Sequence, residues 1–497
     1  MARLNTAGAT SLCILLLGTT ALHADVTAQQ VWDSWQKQYA DYGYQLTTGG
    51  TAQTGDTLVI SDLKLSNTIE GSTFEMTVPE MRLREIGDGT VEVTGSQEID
   101  AQANSKPEGQ PALEMAIKIT QANAAAIVSG TPEAMSYDLT APEIVAEFDQ
   151  KIAGPGDDKA VPVKVWASLS GLTGHYLVTL NAGRTIESSI KASAAKFTAS
   201  GADPETSNTF NLEATVANLD GSGTSFLPEG VEMKDFGAAL GKGLKITSKM
   251  TYGASSYTLD ATAPEGPTTI KGSAQSGSLD GTFAADGVRY AVTGDAATIS
   301  ATTTQLPIPI EATLDKTELD FAIPLAASDA PRPFVAKLGL VGLALSDQLW
   351  GLLDPQNHLG HDPATLVIDL SGTAKPLIDL YSPEAAKSPA PPIEIDSLDV
   401  NKLKLTVAGA DLDGKGAMTF DNSSGMPMPV GAIDLQLAGA NKVMDGLTAM
   451  GLMPQDQAMF VRMMMGLYAV PAGDDQMTSK IEFKQGGEIL ANGQRIK

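Results

Sequence analysis

At 497 residues and 51.6 kDa the chain is long enough to bury a large core, and length alone suggests about two to four domains unless one long β structure runs through it. Aromatic residues make up 5 % while glycine numbers 49, so the apolar 42 % rests on Ala, Val, Leu, Ile and Met, which suits many thin strands better than one bulky core. A formal charge of −26 repels nucleic acid and anionic lipid headgroups and excludes partners held by attraction to either.

Residues 1–24, MARLNTAGATSLCILLLGTTALHA, carry one positive charge at Arg3, an apolar run through Leu17 and a small-residue zone closing at Ala24. That is the outline of a cleavable secretory signal. Cleavage after Ala24 puts Leu22 at an imperfect position, so cleavage after Ala21 is the alternative. The run is too short to span a bilayer, which takes about 20 residues. Cys13 follows the bulky Leu12 inside the apolar run, which favours ordinary cleavage over lipidation. Loss of Arg3 leaves a mature charge of −27 and no cysteine, so burial alone must hold the fold. The expected compartment is the periplasm of a double-membraned bacterium, and no later segment reads as a transmembrane helix.

Residues 25–44 form the first expected element. Thr27 and Gln30 make a capping box, and Trp32, Trp35, Tyr39 and Tyr42 fall on one helical face before Gly43 ends the helix. Residues 45–330 then change to a period of two and read as a β-meander. Phe74, Met76 and Val78 alternate up to Pro79, after which the apolar phase moves to Met81 and Leu83, as a bulge or an edge break requires. Leu244, Ile246, Met250 and Tyr252 alternate likewise, as do Val288, Tyr290 and Val292, and then Leu306, Ile308 and Ile310. Hairpin turns are expected at Asp88-Gly89, Asp220-Gly221, Asp280-Gly281, Asp286-Gly287 and Asp413-Gly414. Three of these share the wording Leu-Asp-Gly at unequal separations, which is no regular repeat.

Residues 331–392 read as strand, helix and strand followed by a linker. Ser346 caps a short helix that places Leu349, Trp350 and Leu353 together, and Ser382–Pro392 reads as an exposed loop. Residues 393–497 form a C-terminal β unit, with Leu403, Leu405 and Val407 alternating and a hairpin turning at Gly486-Gly487. Within it, the stretch from Val443 to Val470 holds seven of the chain's 18 methionines. Pro454 divides the stretch into two helices. The fold class expected is mainly β: an extended, twisted antiparallel sheet, either a half-open groove or two consecutive sheet units, with short capping helices.

Methionine fills irregular gaps, so this hairpin suits packing against a twisted sheet and also contact with an apolar ligand. The residues singled out for such contact are Met444, Met450, Met459, Phe460, Met463, Met464, Leu467 and Trp350. A thioether copper site is the sharper alternative, but these methionines adjoin Phe460, Val461 and Leu467 rather than polar residues. His358, His361 and Asp362 could ligate zinc, yet Gly360 and the flanking Pro355 and Pro363 make the segment a turn. Ser188 with Lys191 and Ser193 with Lys196 repeat a Ser-x-x-Lys spacing without a Lys-Thr-Gly partner, and Ile186, Ile190, Ala192 and Ala194 lie at strand spacing. The Asp411 turn resembles a calcium loop but lacks its bidentate glutamate. No cofactor is expected.

ADVTAQQVWDSWQ after the signal, SDQLWGLLDP with HDPATLVIDLSGTAKP in the middle, and GGEILANGQRIK at the end carry a resemblance. Together they resemble a family of exported alphaproteobacterial proteins classed as a domain of unknown function. That family's pattern has Pro-Arg where this chain has Gly360-His361, which weakens a metal reading at His361. More loosely, the long strands, amphipathic first helix and final Asn-Gly strand look like AsmA-like envelope proteins, which implies an apolar groove and phospholipid movement or outer-membrane homeostasis. The leading expectation is therefore a non-enzymatic periplasmic protein that binds or shields a lipid or acyl-type ligand. An envelope assembly module pairing through its sheet edges is the alternative, and a hydrolase using unrecognised carboxylates the third.

Overall fold

Almost every strand in this chain pairs with strands close to it in sequence, so short-range antiparallel pairing builds the molecule. The computed structural model describes residues 25–497 apart from 42, 70, 106–112, 154–159, 204, 205, 207, 232–235, 390, 391 and 424. The signal segment and Tyr42 lie outside the described residues.

Helix α1 (Ala28–Asp41) opens on the expected capping box: the Thr27 amide donates to Gln30 Oε1 at 2.9 Å and the Gln30 amide to Thr27 Oγ1 at 3.2 Å. Strands β1 (Gln45–Thr47), β2 (Gly50–Thr54), β3 (Thr57–Ile69), β4 (Ser72–Glu85), β5 (Val91–Gly95) and β6 (Glu98–Ser105) follow. Next come β7 (Leu113–Thr120), β8 (Ala125–Thr131), β9 (Ala134–Ala153), β10 (Ala160–Leu180), β11 (Gly183–Ala202) and β12 (Thr209–Pro228). After α2 (Phe236–Gly241) run β13 (Lys245–Tyr252), β14 (Ser255–Ala263), β15 (Gly266–Ala274), β16 (Ser276–Ala284), β17 (Gly287–Thr303), β18 (Ile310–Pro324) and β19 (Arg332–Leu345). Then come α3 (Asp347–Leu353), β20 (Ala364–Pro376), α4 (Pro383–Lys387), β21 (Ile393–Val407), β22 (Ala410–Asp421) and β23 (Met428–Ala438). The chain closes with α5 (Ala440–Ala449), α6 (Gln455–Tyr468), β24 (Val470–Gly473), β25 (Gln476–Phe483), β26 (Ile489–Ala491) and β27 (Gln494–Arg495).

All the strands belong to one antiparallel sheet. Some ranks are single strands and others are pairs laid end to end: β5 with β6 along β4, β7 with β8 along β9, β13 with β14 along β12, and β15 with β16 along β17. Counted this way, eighteen ranks follow one another from β3 to β25 in sequence order. The ladder crosses residues 330 and 392 by ordinary pairing of β18 with β19 and β20 with β21, so one sheet unit is present rather than two.

Direct cross-strand partners point to the same face, so the register shows how the two faces differ. From Leu58 the partners are Leu83, Val93, Ala126 and Leu139. The row continues through Gly174, Ile190, Gly221, Met250 and Leu279. It ends in Val292, Leu319, Leu338, Ile368, Leu403, Gly414 and Leu435. One residue over, the opposite face reads Arg84, Glu92, Ile127, Asp138, His175, Ser189, Ser222, Lys249, Asp280, Ala291, Asp320, Lys337 and Asp369. One face is hydrocarbon and the other is charged.

A crease runs along the sheet. Asp62, Gly171, Asn218, Ala296 and Gly342 adopt positive φ near the middle of β3, β10, β12, β17 and β19. On other ranks the same line is occupied by breaks, where the Ser96 amide donates to the Glu80 carbonyl and the Gln275 amide to the Asp295 carbonyl. At each such point the alternation slips by one residue. In β17 the apolar residues Val288, Tyr290 and Val292 give way to Ala297, Ile299 and Ala301, and in β4 Val78 gives way to Met81. A second apolar row therefore lies beyond the crease: Ile119, Ala146, Ala167, Phe197, Ala214, Tyr257, Gly272, Ile299 and Ala312. Leu139 and Leu219 from one side and Ile144 and Leu169 from the other pack on the same buried trio, Ala141, Leu172 and Ala192, so both rows share a face.

Three expectations are corrected. Three of the Asp-Gly pairs are not turns: Asp220-Gly221, Asp280-Gly281 and Asp413-Gly414 lie inside β12, β16 and β22. Each Leu-Asp-Gly instead sends Leu to the apolar face, Asp to the charged face and Gly back to the apolar face, beneath a bulky neighbour at Gly221 and Gly414 and beneath Ser248 at Gly281. A Cβ on Gly221 would sit 3.0 Å from Ile190, and one on Gly414 2.8 Å from Leu435. The run Leu306, Ile308, Ile310 is not a strand, because Pro307 and Pro309 remove ladder donors; it connects β17 to β18, which begins at Ile310. The segment from Ser382 also holds the short α4 rather than loop alone.

Candidate functional site

The apolar face is filled at one end and open along most of its length. At the N-terminal end Val31 and Trp32 of α1 join Leu58, Ile60, Leu83, Val91 and Val128 in a large buried cluster. Trp35 donates from Nε1 to the Tyr137 hydroxyl at 3.2 Å and stacks on that ring, and Arg184 of β11 holds Asp41 at the helix end at 2.8 Å. The helix is thus a plug. A third cluster forms where Ala239 and Leu240 of α2 and the adjoining Leu244 meet Phe283. Beyond it, no further cluster of fully buried apolar residues occurs among the described residues. Leu83 and Leu319 occupy the same cross-strand row, yet Leu83 is 0 % exposed and Leu319 40 %. Tyr290, Phe321, Leu338 and Leu340 are uncovered in the same way.

This open stretch is hollow. A recess of about 480 Å³ follows the crease between Val216, Tyr257, Ile299, Leu314 and Leu343. A second, of about 370 Å³, lies under α6 against Leu412, Leu435, Leu437, Met477 and Ile481. The remaining molecular surface agrees with an open form: 29125 Å² is exposed, against about 17,000 Å² for a compact protein of this mass. On the reverse side, ion pairs link Arg289 with Asp320 (2.8 Å), Lys337 with Glu318 (2.9 Å), and Lys404 with Asp411 and Asp413 (2.6 and 2.7 Å). Such pairs add little stability each, but they mark that face as the solvent side.

Two carboxylates, Asp354 buried and Asp475 half-buried, fix the far end. Asp354, 1 % exposed, accepts the backbone N–H groups of His358 (3.0 Å) and Leu359 (2.8 Å) and contacts His361 Nε2 at 3.2 Å. Burial raises its pKa, but these hydrogen bonds outweigh burial and hold it below the ordinary value. Asp475, at the tip between β24 and β25, accepts the amides of Asn441 (3.0 Å) and Lys442 (3.1 Å), so it caps α5 from a distance. Its pKa too is raised by burial and lowered further by those bonds, with a net shift downward. The turn held by Asp354 meets α5 closely: a Cβ on Gly446 would lie 2.5 Å from the His358 carbonyl oxygen.

The residues singled out for ligand contact separate accordingly. Phe460 and Met464 line the recess under α6. Met444 is buried on α5, and Met450 ends that helix. Met459, Met463 and Leu467 turn outward, 66, 62 and 51 % exposed. Trp350 stands elsewhere, stacked on His361 at 4.1 Å. Sequence reasoning missed the floor of the recess and the whole open row through Leu319 and Leu338. The alternating strands carried that signal, but only their register lines it up.

Residues 253–491 match the family described as an uncharacterized protein conserved in bacteria, DUF2125. A search of curated proteins finds no match. The DUF2125 match starts at the crease between β13 and β14 and ends in β26, so it spans most of the uncovered stretch and the whole α5–α6 hairpin. The plugged N-terminal ranks lie before it. No helix among the described residues is long and apolar enough to cross a membrane.

Proposed function

We propose that this protein holds a lipid or acyl-type ligand in the trough formed by the apolar face, as a binding rather than a catalytic protein of the bacterial envelope. The observation that carries the reading is one cross-strand apolar row that is sealed at Leu83 yet leaves Ile190, Met250, Leu319 and Leu338 exposed. Bare aliphatic and aromatic rows of this length are costly in water, at about 25 cal/mol per Å² of apolar area, and hydrocarbon relieves that cost. The facing residues are mainly Leu, Ile, Val, Met, Tyr, Phe, Ala and Gly with a few hydroxyls such as Ser248 and Thr317, which solvate a chain and supply orientation rather than acid–base chemistry. The secretory outline of residues 1–24 and the likeness to AsmA-like envelope proteins support a periplasmic setting for the same role.

A zwitterionic lysophospholipid with a fluorescent acyl chain tests this, because the negative surface then neither attracts nor repels the headgroup strongly. The wild-type protein is expected to bind it and to release native lipid on organic extraction. Leu319→Glu with Leu338→Glu is expected to weaken binding at least tenfold and to move the melting temperature little, since both side chains are already exposed. Wild-type protein that neither retains lipid nor binds the probe would overturn the reading.

A further inference from the structure

The geometry points to the recess beneath α6 as the seat of one unbranched acyl chain, with α6 the roof that lifts to admit it. This deepens the trough reading and rests on it.

The recess continues the trough without a step. Leu340, Leu366, Leu405, Leu412, Leu437 and Met477 are successive cross-strand partners, and the last three form the floor. A chain lying in the open trough runs straight under the helix. Val461, Met464 and Met465 face it from above. Thioether side chains adapt to a flexible occupant at little cost. The Ser479 hydroxyl in the lining is already engaged, donating to the Tyr468 carbonyl at 2.5 Å. A polar ligand would therefore forfeit hydrogen bonds there, and hydrocarbon forfeits none. At about 370 Å³ the space is near the lower end of ligand pockets, which fits a single chain and not a whole two-chain lipid.

The two helices of the hairpin are held unequally. α5 is fixed: Asp475 caps it, Met444 is buried and Gly446 lies flush on the His358 carbonyl. α6 buries only Ala458 and is tied back to α5 through Arg462, which reaches Asn441 and Asp445. Between them Gly451, at φ +73° and with open space around it, leaves the connection free to flex. α6 can tilt while α5 stays.

The test uses the full chain and a zwitterionic lysophospholipid bearing a diazirine near the methyl end of its chain, irradiated and mapped by mass spectrometry. Adducts are expected on Val461–Met465 and around Met477. Val461→Trp, at a position 38 % exposed and so tolerant of bulk, is expected to cut those adducts at least fivefold while adducts in β13–β19 persist. Should the variant fail to fold, the wild-type map decides alone. Adducts confined to β13–β19 would overturn the seat under α6 and leave the trough reading standing. Adducts nowhere would overturn both.

Discussion

Ala296 holds φ +48° in the middle of β17, a conformation that costs an L-residue roughly 1–2 kcal/mol. Its position on the crease, where Gly171 and Gly342 stand on other ranks, explains why the cost is borne: the slip of one residue there keeps Tyr290 and Ile299 on the same face. Ala296→Gly is therefore expected to raise stability by about 0.5–1 kcal/mol, opposite in sign to the usual effect of glycine in a strand, and chemical denaturation would measure it. A loss of stability would show that the crease is set by something other than this residue. At this scale the sequence was legible where the signal is local. The capping box at Thr27 and Gln30 formed as spaced, and the phase shift from Val78 to Met81 marked the crease correctly. The Asp-Gly pairs misled, because Asp and Gly favour turns locally while alternation between a charged and a crowded apolar face asks for the same two residues. Leu-Asp-Gly in a strand and Leu-Asp-Gly in a turn differ only in what lies across the ladder.

The elements divide into those that seal and those that cover. α1 seals, with Trp32 in a filled core, and its sequence said so through one aromatic stripe. α5 and α6 cover, and their methionines left open whether they pack or bind, since Met464 and Met463 are neighbours with opposite exposures. The cap on α5 was not legible at all: Asp475 lies far along the chain from Asn441, and only the fold brings them together. That cap also gives the hairpin a pH dependence. Asp475 has a folded pKa below its ordinary value of 3.8, so its contribution is present above that value and is lost as pH falls through the lower, folded one. Asp475→Asn loses the charge and one of the two acceptor oxygens, so it is expected to cost about 1 kcal/mol at pH 6, the difference between a charged and a neutral acceptor, and thermal melts of the two proteins should converge as the pH is lowered below 3.8. Curves that stay parallel to the lowest pH at which both proteins remain folded would show that the charge on Asp475 is not what holds α5.

At the scale of the whole molecule, an open sheet whose ranks follow the chain has two free edges, and both are blunted. β3 is flanked by the short β1 and β2, and β25 by the short β24, carrying Pro471, and by β26. Short edges of this kind resist pairing with other chains, which favours a ligand-holding trough over edge-to-edge assembly. The same topology fixes an elongated form. Eighteen ranks at about 4.8 Å per step reach roughly 80 Å before twist shortens them. A compact chain of 497 residues would have a radius of gyration of about 23 Å. Small-angle scattering of monomeric protein should give a clearly larger value, with light scattering in line to exclude a dimer. Adding lysophospholipid should leave that value nearly unchanged, because a chain seated in a preformed trough requires only α6 to move. A radius near 23 Å would mean that the two long edges of the trough meet in solution, and the exposed side chains of Met250, Leu319 and Leu338 would then line an interior rather than a binding face.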